Sequence, residues 1–121
     1  MEIENVLSLF DGYSTGYLAL KDAGIPFKNY YASEIDKYAI GVSKYNFPNI
    51  IQIGDVTKIN CQELSKINLL IGGSPCQGFS IAGKGLNFED PRSKLFFEFV
   101  KIKNTLNPTY FLLENVKMKK E

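Results

Sequence analysis

Short apolar runs alternate with amphipathic stretches along this chain, and the alternation predicts strands and helices in turn. Val6-Leu7-Ser8-Leu9-Phe10 reads as a buried strand. Ser14 to Ala23 then reads as a helix, ended by Gly24 and Pro26. Tyr30-Tyr31-Ala32-Ser33 is a second strand, and Asp36 can cap a helix running to about Asn46, where Pro48 blocks continuation. Ile50-Ile51-Gln52-Ile53 is a third strand, Gln62 to Lys66 has room for one or two helical turns, and Ile67-Asn68-Leu69-Leu70-Ile71 is a fourth strand. Gly72 to Asp90 is a long glycine-rich loop. Asp90-Pro91 opens a further helix, on which Leu95, Phe99, Ile102 and Leu106 share one face before Pro108 stops it. Tyr110-Phe111-Leu112-Leu113 is a fifth strand, continuously apolar and so expected to be covered on both faces.

Strands alternating with helices imply right-handed crossovers and a parallel sheet with helices on both sides, an α/β fold. With 121 residues there is room for a single domain. A hydrophobic share of 45% and a charged share of 22% suit a globular core and are unlike a disordered chain. Net charge is +1, so no basic stripe advertises a nucleic acid. The absence of His removes Ser-His-Asp triads, Cys-His dyads and His-bearing zinc sites. Two cysteines, Cys61 and Cys76, can build neither a disulfide scaffold nor a four-thiolate metal site, and no metal is expected. No apolar run approaches the roughly 20 residues of a membrane span, and the acidic Met1-Glu2-Ile3-Glu4 does not look like a signal peptide, so a cytoplasmic protein is expected.

Open parallel sheets bind ligands at the carboxyl ends of their strands, so the residues that follow each run are the candidates. Strand one is followed by Phe10-Asp11-Gly12-Tyr13-Ser14-Thr15-Gly16, a glycine turn into a helix that lets backbone approach a ligand. Strand two is followed by Glu34, a carboxylate suited to the hydroxyls of a ribose, and strand three by Gly54-Asp55-Val56. Strand four runs into Gly72-Gly73-Ser74-Pro75-Cys76-Gln77-Gly78-Phe79-Ser80, and strand five into Glu114-Asn115-Val116. Taken singly, the glycine turn is merely structural as often as not, Glu34 reads as a surface acid and Asp55 as a turn residue. Five strand ends in succession on one rim are what lift them. Gly78 to Gly85 nearly spells a phosphate-binding loop, but Gly85 stands where the magnesium-holding hydroxyl should be.

Cys76 and Glu114 form the sharpest pair. A free Cys is usually a small buried hydrophobe, yet buried thiols seldom sit in loops flanked by Gly73, Pro75 and Gly78. If strands four and five are neighbours, a nucleophile lies beside an acid.

Gly73-Ser74-Pro75-Cys76-Gln77-Gly78-Phe79-Ser80 resembles the Pro-Cys catalytic loop of DNA cytosine-5 methyltransferases. Glu114-Asn115-Val116 resembles that family's Glu-Asn-Val motif, and Phe10 to Gly16 its cofactor loop. Order and spacing agree over essentially the whole chain. Related transfer-RNA enzymes typically carry Pro-Pro-Cys; Ser74 before Pro75 favours DNA.

The resemblance implies a Rossmann-like methyltransferase fold that binds S-adenosylmethionine and releases S-adenosylhomocysteine. It assigns Phe10, Asp11, Gly12, Thr15 and Gly16 to the methionine end, Glu34 to the ribose, Ile35 to the adenine face, and Asp55 with Val56 to that ring's edge. Pro75 borders cofactor and base, while Ser74, Gln77, Gly78, Ser80, Asn115 and Val116 belong to the substrate loops. Cys76 is the implied nucleophile and Glu114 the acid acting on a cytosine flipped out of duplex DNA. A restriction-modification or phage-protection setting, in a bacterial or phage-infected cell, goes with the family.

Typical members continue well beyond Glu-Asn-Val. Residues 1–121 are therefore expected to form a partial catalytic domain of about five strands, without the target-recognition region and later motifs. Strand 110–113 would then present an open edge, ready to pair with a second copy or a complementary chain. The alternative function is a non-catalytic module that binds S-adenosylmethionine or a partner.

Overall fold

The computed structural model describes residues 2–64, 66–73 and 91–114, with side chains from residue 96 onward in the last stretch. Five strands form one parallel sheet: β1 (Asn5–Leu9), β2 (Asn29–Ser33), β3 (Ile51–Gln52), β4 (Leu69–Gly72) and β5 (Tyr110–Leu113). Three helices connect them: α1 (Thr15–Asp22), α2 (Lys37–Asn46) and α3 (Pro91–Leu106). The strand order is β3-β2-β1-β4-β5. The chain steps outward from β1 to β3, returns to the other side of β1, and continues outward. Right-handed crossovers then put α1 and α2 on one face and α3 on the other. The direction of winding reverses between β1 and β4, which opens a crevice above their carboxyl ends.

Local chemistry explains where the elements stop. Gly24 takes a φ of 73° at the end of α1, and the Ile25 N–H reaches back to the Leu20 carbonyl at 3.0 Å. Asp36 caps α2 by accepting from the N–H groups of Tyr38 and Ala39 at 2.9 and 3.3 Å. The helical turns expected at Gln62 to Lys66 lie earlier, as two 3-10 turns at Val56–Lys58 and Cys61–Glu63, capped by the side chains of Asp55 and Asn60. Asn68 is not in β4; its Oδ1 accepts from the N–H groups of Glu4 and Asn5, each at 2.8 Å. Asn5 passes the pattern on, donating to the Lys66 carbonyl and accepting from Asn29, again at 2.8 Å. These three asparagines align the amino ends of β1, β2 and β4.

Alternation along β1 divides the core. Val6 faces Tyr30, Ala32, Ile50 and the α1 residues Tyr17 and Leu20. The Tyr17 ring packs at 5.2 Å from Tyr30 and 4.9 Å from Phe47. Leu7 and Leu9 face Leu70, Ile67, Val56 and the α3 residues Phe99 and Ile102. Phe99 lies so close to β4 that a Cβ at Gly72 would fall 2.5 Å from its ring and 3.1 Å from Leu113. Gly72→Ala is expected to cost about 1–3 kcal/mol by overpacking, read as a lowered denaturant midpoint with an unchanged slope.

β5 is not covered on both faces. Tyr110, Phe111 and Leu112 are 41%, 54% and 61% exposed. α3 reaches the Phe111 side, with the Phe99 ring 6.4 Å away and the Lys103 Nζ 4.8 Å from the Phe111 ring. β5 pairs with β4 and stands at the edge of the sheet formed by the described residues. Its continuous apolar run is consistent with a surface made to be covered, which local pattern could not distinguish from one already covered.

Candidate functional site

Every strand of a parallel sheet ends on the same rim. In the observed order the rim carries Asp55, Glu34, the turn of residues 10–16, Gly73 and Glu114. Neighbouring strands are about 4.8 Å apart, so the whole row spans about 19 Å. The crevice falls between the turn and Gly73, near the middle.

The turn is strained and heavily tied down. Phe10, Gly12 and Ser14 have φ of 58°, 61° and 67°. For the two that are not glycine, the left-handed region costs about 1–2 kcal/mol each. Such backbone persists only where surrounding bonds over-determine it. The Asp11 N–H donates to the Ser33 carbonyl at 3.1 Å, and the Ser14 N–H to the Asp11 carbonyl at 3.0 Å. The Gly12 N–H donates to Glu34 Oε1 at 2.7 Å, and Glu34 Oε2 accepts from the Ile35 and Asp36 N–H groups. Glu34 thus joins the end of β2 to the turn after β1. A Cβ at Gly12 would meet nothing within 4 Å, so the space above the turn is open.

Beneath the turn lies a buried polar cluster. Asp11 is 7% exposed, and its carboxylate points inward rather than to the rim. Oδ1 accepts from Ser8 at 2.7 Å and from Tyr30 at 2.8 Å, and Oδ2 accepts from Ser14. Burial pushes the Asp11 carboxyl up from its ordinary value; these three hydroxyls oppose the shift, and nearby Glu34 adds to it. Burial, and then the Asp11 charge, push the Tyr30 hydroxyl up as well, which keeps it a donor. Gly16 makes the Tyr30–Asp11 contact possible, because a Cβ there would fall 2.8 Å from the Tyr30 oxygen.

The other sequence candidates divide. Ile35 is 69% exposed beside Glu34, an apolar surface next to a carboxylate. Thr15 is exposed at the start of α1, and Phe10 packs partly against the core. Asp55 stays at the rim, where the Thr57 N–H and hydroxyl hold its carboxyl below the usual range. The Val56 side chain instead enters the core with Leu7 and Leu9. Glu114 follows β5, and its N–H donates to the Gly72 carbonyl at 2.8 Å, one strand away from Gly73. Ser74, Pro75, Cys76, Gln77, Gly78, Ser80, Asn115 and Val116 lie outside the described residues. Sequence reasoning missed Ser8, Tyr30 and Ser43. The available signal was Ser8, a polar residue between Leu7 and Leu9 in a strand buried along its length.

Comparisons with known proteins identify the family and the fold. The family model for C-5 cytosine-specific DNA methylase matches residues 4–120. An orphan methyltransferase of Bacillus phage rho11s is 43% identical over 114 residues, which is 93% of this chain and 23% of the relative. A type II methyltransferase of Lactococcus lactis subsp. cremoris is 49% identical over 90 residues, 74% of this chain and 23% of the relative. The chain spans about a quarter of the length of such relatives. Among solved structures, the S. pombe Dnmt2 methyltransferase superposes with a TM-score of 0.71 at 24% identity, over 94% of this chain and 34% of that one. This last likeness concerns the fold, a Rossmann-like one. Among the described residues, no helix is long and apolar enough to cross a membrane.

Proposed function

The chain belongs to the C-5 cytosine-specific DNA methylase family, and from that premise we propose that it supplies the cofactor-binding and nucleophile-bearing part of a DNA cytosine-5 methyltransferase. The observation that carries this reading is the neighbouring of β4 and β5. Cys76 follows Gly73 by three positions in the sequence and so belongs to the loop that leaves the β4 end of the rim. Glu114 is one strand over, bonded through its backbone to Gly72. A thiol and a carboxyl within reach of one pyrimidine are what the chemistry requires.

S-adenosylmethionine is the group the rim would hold, and the residues present fit it. The open space above Gly12 suits close approach of the methionine end. Glu34 offers a carboxylate to the ribose hydroxyls, exposed Ile35 an apolar face to the adenine, and Asp55 an acceptor at the ring's edge. Bound there, the cofactor supplies an electrophilic methyl group on a sulfonium.

Carbon 5 of cytosine is a weak nucleophile. The Cys76 thiolate adds to carbon 6, and Glu114 donates a hydrogen bond or proton at ring nitrogen 3 as electron density moves into the ring. Carbon 5 becomes enamine-like and would take the methyl group as its bond to the sulfonium breaks, leaving S-adenosylhomocysteine. Loss of the carbon-5 proton to solvent, return of the nitrogen-3 proton to the Glu114 carboxylate and expulsion of the thiolate restore the aromatic base. A stacked base cannot be reached this way, so the cytosine leaves the duplex at a cost of a few kcal/mol. Phage and bacterial relatives support a bacterial or phage-infected cytoplasm as the setting.

The test is transfer of labelled methyl from S-adenosylmethionine to a cytosine-containing duplex, with the product mapped to carbon 5. Label on carbon 5 is expected; label elsewhere, or on RNA alone, would contradict the reading. The exposure of Tyr110, Phe111 and Leu112 favours a second possibility, a module that docks through β5 onto a second copy or a complementary chain. Light scattering at micromolar concentration is expected to give a mass above the 13.6 kDa of one chain. A monodisperse monomer would count against pairing between copies. Cofactor binding with no methyl transfer in any combination would favour the module over the enzyme.

A further inference from the structure

The cluster beneath the turn does not end at Asp11. Ser14 Oγ lies 2.6 Å from Ser43 Oγ on α2, and the Gln52 side-chain amide on β3 donates to Ser43 at 3.3 Å. Ser14, Ser43 and Ser8 are each at most 3% exposed. The ends of this chain set its direction. An ionised carboxylate only accepts, so Ser14 donates to Asp11. The Ser14 oxygen then accepts from Ser43, and the Ser43 oxygen accepts from Gln52. Tyr30 and Ser8 complete the carboxylate from the sheet side. Two buried arms, one from β2 and one from α2 and β3, therefore meet at the two ends of the strained segment between Asp11 and Ser14.

We propose that Tyr30 and Ser43 are positioning residues for S-adenosylmethionine, which act through Asp11 and Ser14 to hold the turn of residues 10–16 in its left-handed conformation. This rests on the reading of that turn as the cofactor loop. Neither side chain reaches the rim: Tyr30 is 1% exposed and Ser43 is 1% exposed. Their effect on the ligand is transmitted by backbone. The same carboxylate that Tyr30 fixes belongs to the residue before Gly12, and the Gly12 N–H holds Glu34. A relaxed turn would release Glu34 together with the glycine, so both the methionine and the ribose contacts weaken at once.

Calorimetric titration of the whole chain with S-adenosylhomocysteine tests this, with Tyr30→Phe, Ser43→Ala and a control, Ile102→Val. The control trims a buried side chain under α3 on the opposite face. Tyr30→Phe and Ser43→Ala are each expected to raise Kd about five- to tenfold, for one lost hydrogen bond that supports a charged group. Ile102→Val is expected to lower the unfolding midpoint while leaving Kd unchanged. Ser43→Ala carries the test if Tyr30→Phe does not fold. Unchanged Kd in the folded network variants, with a wild type that binds, overturns the positioning role alone. A control that weakens binding as much as they do also overturns it, since loss of global stability then explains the effect. A wild type that does not bind at all overturns the cofactor reading and the positioning role with it.

Discussion

Cys76→Ala is expected to abolish methyl transfer to cytosine, by at least about 10⁴-fold, while leaving S-adenosylmethionine binding within twofold of wild type. The asymmetry follows from the chemistry assigned to the thiol. In the proposed mechanism it acts in ring activation and not in holding the cofactor, whose proposed contacts are mainly at the β1, β2 and β3 ends. Without the carbon-6 adduct, carbon 5 keeps its aromatic character and has no density to offer the methyl group. These 121 residues contain no His, so no imidazole of their own can substitute as a base or nucleophile. Glu114→Gln is expected to be milder, about 10²- to 10³-fold, because it removes a proton donor from an addition that the thiolate still begins. Single-turnover transfer with labelled cofactor measures both. Residual activity of Cys76→Ala above a few per cent of wild type would remove Cys76 from the mechanism.

Asp11→Ala is expected to lower unfolding free energy by about 3–5 kcal/mol, because it leaves three buried hydroxyls without their acceptor. Ser8, Ser14 and Tyr30 all donate to this carboxylate, and water does not reach them. For a domain whose total stability is about 5–15 kcal/mol, that is a large share of the total, and the urea midpoint is expected to fall accordingly. Asp11→Asn should cost far less. Its amide oxygen can still accept from Ser8 and Tyr30. Its NH₂ can donate to Ser14, reversing the relay; a flip of the Gln52 amide then lets Oε1, buried and without a partner among the described residues, accept from Ser43 in place of the amide N–H. Urea titrations of the two variants separate an acceptor role from a charge role, and similar losses in both would contradict this account.

The pH dependence of that pair has a definite sign. Burial raises the Asp11 carboxyl above its ordinary 3.8. A raised carboxyl favours the protonated form in the fold, so its contribution to stability is full below the unfolded value and is lost as pH rises through the folded one. The stability of wild type relative to Asp11→Asn is therefore expected to fall as pH rises above about 4. Asp55 runs the other way: its lowered carboxyl stabilises above 3.8 and loses that contribution in acid, weakly, because it is exposed. Comparison with Asp11→Asn cancels it.

Local signals in the sequence were enough for the three helices and five strands, though not for the two 3-10 turns at Val56–Lys58 and Cys61–Glu63. Gly24, Asp36, Pro48 and Pro108 mark helix ends by mechanisms that act within a few residues, and the structure ends its helices beside them. The placement of chemistry on one rim was legible for the same reason, since strand ends follow from local pattern and a parallel sheet aligns them. Strand order was not, because pairing joins residues more than 60 positions apart, as Asn5 and Asn68 are. Side-chain direction in the irregular stretches was also hidden. Val56 follows Asp55 in a turn with no period to read, and only packing shows that it faces Leu7 and Leu9. Ser14 reads as the first residue of a helix; the helix begins at Thr15, and the left-handed backbone of Ser14 goes with a hydroxyl turned inward to Asp11 and no side-chain cap. The covering of β5 depends on what lies beyond its outer edge, which four residues cannot specify.

The central claim is that cofactor and reaction share the carboxyl rim about the crevice between β1 and β4. Amide chemical-shift mapping with S-adenosylhomocysteine tests it most directly. The account predicts shifts at Gly12, Thr15, Glu34, Ile35, Asp55 and Gly73, with little change at the asparagine-lined amino ends of the strands. Shifts centred on the outer face of α2, at Tyr38 and Tyr45, or at the amino ends near Asn5, would contradict it.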